Sequence, residues 1–139
     1  MSCLTSDKTL DISNKTKSMH NFKELKVWQL SRLLVKEVYE LTSTFPASEK
    51  HGLISQIRRC VVSIPTNISE GSGRNTDKDF SHFLNISLGS AYELETLLIL
   101  SSDVRLISDK QLENLLPKIS EIQKMTFGLI KTLRHESYV

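Results

Sequence analysis

The sequence is short of everything that breaks a helix: 139 residues contain only 5 glycines and 3 prolines. A chain of many short strands needs far more turn residues than that, so long helices are expected. Cysteine is nearly absent. Cys3 sits in a polar stretch and Cys60 inside an apolar run, which excludes a disulfide framework and a cysteine-based zinc site. Neither charge dominates, with 18 Lys and Arg against 16 Asp and Glu, so a surface devoted wholly to phosphate is not demanded. No run of about 18 apolar residues occurs, so no membrane span is expected, and the N-terminus lacks the pattern of a secretory signal. These absences point to a cytoplasmic, all-α protein of one domain, large enough to bury a core without staples.

What is present is apolar periodicity. Residues 1–18 are rich in Ser, Thr, Lys and Asp and predict a disordered tail, with the folded domain spanning 19–139. A first helix is predicted from about Asn21 to Ser43, on the stripe Val27, Leu30, Leu34, Val38 and Leu41. Leu25, Trp28, Val35 and Tyr39 widen its apolar arc. Phe45-Pro46 should end it. Ser48 is the expected cap of a second helix, whose stripe is Ile54, Ile57, Val61, Ile64 and Ile68. Pro65 falls inside that stripe and predicts a kink. Gly71-Ser72-Gly73 predicts a glycine stop. Thr76 should cap a third helix carrying Phe80, Phe83, Leu84, Leu88, Ala91, Leu94 and Leu98. Ser108 and Asp109 should open a fourth, with Leu112, Leu115, Leu116, Ile119, Ile122, Met125, Leu129 and Leu133 on its core face and Pro117 a complication near its start.

Four amphipathic segments joined by short loops predict an up-down-up-down antiparallel four-helix bundle. The apolar arcs of the first and third helices exceed what one bundle's interior needs, so a self-contact through the outer face is expected.

No catalytic, metal or cofactor site is predicted. A di-metal bundle requires Glu-x-x-His on two helices, and the sequence offers only a single Asp79-x-x-His82. His20, His51, His82 and His135 all fall near helix ends or tails, away from any nucleophile. Gly71-Ser72-Gly73-Arg74 follows a helix rather than a strand, which removes the phosphate-loop reading.

Two polar patterns are less bland. Gln56, Arg59, Ser63, Asn67 and Glu70 run along one side of the second helix, and Ser90 and Glu93 form a comparable line on the third. They suggest an inter-helix network in which Arg59 pairs with Glu70 or Glu93. Lys110, Lys124 and Lys131 share a side of the fourth helix with Arg134 nearby, though Glu121 interrupts them; Lys23 and Lys26 begin the first, and Arg58 lies on the second. These seven cations are the candidate nucleic-acid contacts, modest in one copy and additive in a ring.

Four segments, Phe22 to Gln29, Gly52 to Arg59, Ser63 to Gly71 and Gly89 to Glu95, resemble the four-helix-bundle family encoded in intervening sequences of bacterial 23S rRNA genes. The most specific is Ser63-Ile64-Pro65-Thr66-Asn67-Ile68-Ser69-Glu70-Gly71. The resemblance spans about Met19 to Leu133. It implies a cytosolic, non-enzymatic protein that forms a homopentameric ring and carries no cofactor. Members have been labelled ribosomal proteins from their genomic location, which makes rRNA or another nucleic acid an implied partner. A related, more basic branch comprises accessory proteins of diversity-generating retroelements, which bind nucleic acid and a reverse transcriptase; a protein-docking role is therefore the alternative. The matching positions Trp28, Gln56, Arg59, Ser63, Pro65, Asn67, Glu70, Gly71, Ser90 and Glu93 look structural in that light.

Overall fold

The structure, a computed structural model, describes residues 21–137, with side chains through Arg134. The expected tail and Met19 and His20 lie outside the described residues. Four helices account for the fold: α1 (Lys26–Thr42), α2 (Leu53–Ser72), α3 (Asp77–Asp103) and α4 (Asp109–Ser137). No strand occurs among the described residues. Each helix packs against the next, and α1 closes the square against α4. This is the predicted up-down-up-down bundle.

The core is the sum of the four stripes. Leu34, Val38, Ile57, Val61, Ile64, Ile68, Phe80, Leu84, Leu94, Leu98, Ile119 and Ile122 are all buried. Ile130 and Thr126 complete the stripe of α4. Small hydroxyls fill the gaps without stranding a polar atom. Thr42, Ser101 and Thr126 each donate to the carbonyl four residues earlier. Among the described residues, no buried side-chain nitrogen or oxygen lacks a hydrogen bond.

The helix ends depart from expectation in instructive ways. The chain does not enter α1 at Asn21. Asn21 instead caps a short 3-10 turn, Phe22–Glu24, and Leu25 is extended before the α-helix starts. The Gln29 amide reaches back to the Lys23 carbonyl at 2.8 Å, and Phe22 meets Trp28 edge to face at 5.1 Å, so this turn is clamped onto α1. Ser48 is not a cap: Ala47–Glu49 winds as another 3-10 turn after Pro46, so α2 begins only after Gly52. Helix α2 then runs through Pro65 without a break.

Gly73 ends α2 at φ −89° rather than in the left-handed region, so the predicted glycine stop works by 3-10 tightening. The left-handed C-terminal stop is at α3. There Arg105 has φ 64°, the Leu106 amide donates to the Ser101 carbonyl at 2.8 Å and the Arg105 amide to Ser102 at 3.0 Å. That pattern is a Schellman motif closed by a residue other than glycine. Thr76 caps α3 as expected, accepting from the Asp79 amide. Ser108 and Gln111 exchange backbone-to-side-chain bonds of 2.9 and 3.1 Å, a capping box at α4.

Candidate functional site

Helix α3 is the central element, because it carries two apolar stripes where a bundle helix needs one. The inner stripe, Phe80, Leu84, Ser87, Ala91, Leu94, Leu98 and Ser101, is buried throughout. A second follows the same alternation of three and four: Phe83, Ile86, Ser90, Glu93, Leu97, Leu100 and Val104. Only part of it is covered. Leu97 is buried, while Ile86, Leu100 and Val104 are 41%, 46% and 61% exposed. By length and composition α3 is also apolar enough to cross a membrane, a test that the core helix of a bundle can pass.

The second stripe flanks the contact with α2, and the polar line predicted on α2 meets it there. Ser63 and Ser90 bond hydroxyl to hydroxyl at 2.8 Å. The Asn67 amide donates to both the carbonyl and the hydroxyl of Ser63, each at 2.8 Å. The Ser87 hydroxyl reaches the Ile64 carbonyl at 3.0 Å, just before Pro65. Small residues let the two backbones come close, and Gly71 closes the seam at one end. A Cβ built there would lie 2.7 Å from Phe83 Cβ and 2.9 Å from Phe80 Cδ1. The structure therefore joins Ser63, Asn67 and Ser90 into one network.

Gln56, Arg59, Glu70 and Glu93 stand outside it, exposed on the same flank. The predicted Arg59–Glu70 pair does not form. Eleven residues along one helix separate them by about 16 Å, Glu70 pairs with Arg74 at 3.1 Å, and Arg59 reaches only Ser55 at 3.5 Å. Between the helices, burial pushes the Cys60 thiol up to about 12, and the negative charge of Glu93 adds to the shift. A thiol held neutral in this way is packing rather than a nucleophile.

The candidate nucleic-acid cations divide as well. Arg58 is committed inside the fold: it donates to Thr42 Oγ1 at 2.9 Å and to the Tyr39 carbonyl at 3.2 Å, and its guanidinium lies 4.3 Å from the centre of the Tyr39 ring. It staples α2 to the C-terminal end of α1, where a cation is favoured. Lys23 and Lys26 sit exposed at the start of α1, and Lys110 at the start of α4. Lys124, Lys131 and Arg134 share the outward flank of α4 next to α3. Two exposed aromatics that the sequence reading passed over lie on this side, Tyr92 on α3 at 55% and Phe127 on α4 at 51%. Periodicity alone could have found Phe127, since it falls between Lys124 and Lys131 at spacings of three and four. A shallow cleft between α1 and α2, lined by Trp28, Val35, Val62 and Pro65 with Arg32 at its edge, is a further concavity. Among the described residues no group of three His, Cys, Asp or Glu could hold a metal ion.

Compared with known proteins, the sequence matches the family described as 23S rRNA-intervening sequence protein over residues 23–128. The chain belongs to that family. Among solved structures, it is similar to a protein of unknown function from the S23 ribosomal protein family of Bacteroides thetaiotaomicron, determined at 1.70 Å resolution. The two share 29% identity with a TM-score of 0.70, covering 76% of this chain and 98% of the other. A search of curated proteins finds no match. As a 23S rRNA-intervening sequence protein, the chain has both of its α3 seams within the matched span. Lys131 and Arg134 lie beyond it.

Proposed function

We propose that this 23S rRNA-intervening sequence protein is a non-enzymatic scaffold that assembles with copies of itself and associates with RNA. The observation that carries the reading is the second heptad stripe of α3. A stripe at alternating three and four spacing is what a partner helix packs into, and Ile86, Leu100 and Val104 are about half exposed within one copy. The polar residues beside it fit the same role. Arg59 and Glu93 lie exposed on the facing flanks of α2 and α3, placed to pair with their counterparts in a neighbouring copy and to fix its register. A ring of five is the assembly that the resemblance implies. The family takes its name from intervening sequences of 23S rRNA, and a ring repeats each exposed cation in every copy, which supports a phosphate-bearing partner.

Two measurements test this reading. Light scattering of the purified protein should give a mass several times that of one chain; a monomer at micromolar concentration would overturn the assembly. Titration with structured 23S rRNA fragments across salt should give binding that weakens steeply as salt rises. Absence of RNA binding at low salt, with the oligomer intact, would leave the exposed stripe to a protein partner instead.

A further inference from the structure

The flank where α3 meets α4 combines exposed cations with half-exposed rings. Its register is set by Gln123, whose side-chain amide donates to Glu95 at 2.8 Å and to the Ala91 carbonyl at 3.5 Å. Because the helices are antiparallel, residues before Ala91 on α3 lie beside residues after Gln123 on α4. Residues 80–92 contain no Asp or Glu, and neither do residues 122–134, while the α4 segment contributes Lys124, Lys131 and Arg134. This gives a strip of positive charge about 15 Å long, bounded at one end by Glu95 and Glu121.

Two half-exposed rings stand in that strip. Phe127 shares its side of α4 with the three cations, and Lys131 Nζ lies 5.6 Å from its ring centre. Tyr92 lies one turn from Glu95, on the flank of α3 that faces α4. Two glycines flank the rings, Gly89 and Gly128, both inside helices. An added Cβ would meet nothing within 4 Å at either position. Each costs its helix about 0.5–1 kcal/mol relative to alanine, and no packing within the bundle requires it. Glycine beside an exposed ring leaves room for a ligand to approach the backbone.

We infer that this strip binds single-stranded nucleic acid, with Tyr92 and Phe127 stacking on unpaired bases and Lys124, Lys131 and Arg134 neutralising the backbone. Paired bases offer no free face for a ring, whereas an unpaired base stacks on an aromatic whatever its sequence. The alternation of cation and ring along residues 124–134, where α4 carries no Asp or Glu, suits a phosphate backbone with unpaired bases. The inference rests on the RNA association proposed above and deepens it by naming the surface and the form of RNA.

The test uses the full chain and a short fluorescein-labelled oligoribonucleotide of mixed sequence, alone or annealed to its complement. The single strand should bind more tightly than the duplex. Phe127→Ala and Tyr92→Ala should each weaken single-strand binding about tenfold, with assembly size and thermal midpoint unchanged because both rings are half exposed. Lys124→Gln and Lys131→Gln should each reduce the slope of log affinity against log salt by about 0.7. Lys36→Gln, exposed on α1 away from the α3–α4 flank, should change neither affinity nor slope. If the wild type binds RNA but the ring variants bind equally well, or the duplex binds as tightly as the single strand, this assignment is overturned and RNA association stands. Binding of neither form removes both. Disassembly on ring substitution would make the strip a contact between copies and would also overturn the assignment.

Discussion

On its α2 side, helix α3 offers serines, and the partner helix answers with serine, asparagine and a glycine against which Phe80 and Phe83 close. On its α4 side the same helix offers Leu88, Tyr92 and Glu95, and the partner answers with Gln123, Phe127 and lysines. The first seam is close, and its Ser63, Asn67 and Ser90 are bonded to one another. The second is held by one glutamine and leaves its aromatic rings in solvent. Close packing fixes geometry, so the first seam can present an ordered stripe to another copy. A looser flank with unspent π-faces and cations suits a flexible ligand. One helix therefore serves two kinds of contact, and each prediction below strikes one side.

The largest effect is expected from charge placed in the uncovered stripe. Leu100→Lys should leave the fold intact, because Leu100 is already 46% exposed. In the assembly it would bury an unpaired ammonium, which costs several kcal/mol per interface. Light scattering should then report monomers with an unchanged helical circular dichroism spectrum. An oligomer that survives Leu100→Lys and Ile86→Lys together would detach self-association from the α2 side of α3.

Cys60 reports how dry that seam is. With its pKa moved from 9.0 to about 12, the fraction of thiolate at pH 8 falls about a thousandfold. Iodoacetamide should therefore label Cys60 about that much more slowly in the folded protein than in urea, measured in a Cys3→Ser background by mass spectrometry. The linkage has a definite sign. Below pH 9 the thiol is neutral whether the chain is folded or unfolded, and stability does not depend on it. Between pH 9 and about 12 only the unfolded chain releases the proton, so stability falls as pH rises. Rapid labelling at pH 8 would mean that the seam opens.

Much of this architecture was legible in the sequence. Apolar periodicity located all four helices, because each has one face that must be buried, and Thr76 and Ser108 announced their helices since a cap is a local interaction. Ser48 misled because a 3-10 turn satisfies the same local preferences as an α-helical start, and nothing in the nearby residues separates the two. Arg58 looked like a surface cation because its partners, Thr42 and Tyr39, are 16 and 19 residues away. The second stripe of α3 was visible only as excess width. Which half of a wide apolar arc faces the core depends on the positions of the other helices. The Tyr92–Phe127 strip was hidden for the same reason: its members come from two helices, and only the register set by Gln123 brings them to one side.

A smaller effect is expected at Gly71, where the two seams part most clearly. Alanine there gains up to about 1 kcal/mol of helix propensity, but its Cβ would stand 2.7 Å from that of Phe83. A Cβ carries no rotamer that can move aside, so the helices must separate. Overpacking of this kind costs about 1–3 kcal/mol. The net expectation for Gly71→Ala is a loss of about 1 kcal/mol, read as a lower urea midpoint with an unchanged slope. A midpoint at or above wild type would show that α2 and α3 pack less closely than the seam requires.

Gly128→Ala is the reverse case and the smallest effect. Nothing stands within 4 Å of the added Cβ, so the gain in helix propensity meets no opposing clash. The isolated chain should become more stable by about 0.5–1 kcal/mol, a rise of a few degrees in thermal midpoint without RNA. The sign decides more than the size. If the oligomer instead loses stability, the new methyl group must be meeting a neighbouring copy, and the outward side of α4 is already occupied. Both flanks of α3 would then serve assembly, and the division of this helix between a face for copies and a face for nucleic acid would collapse.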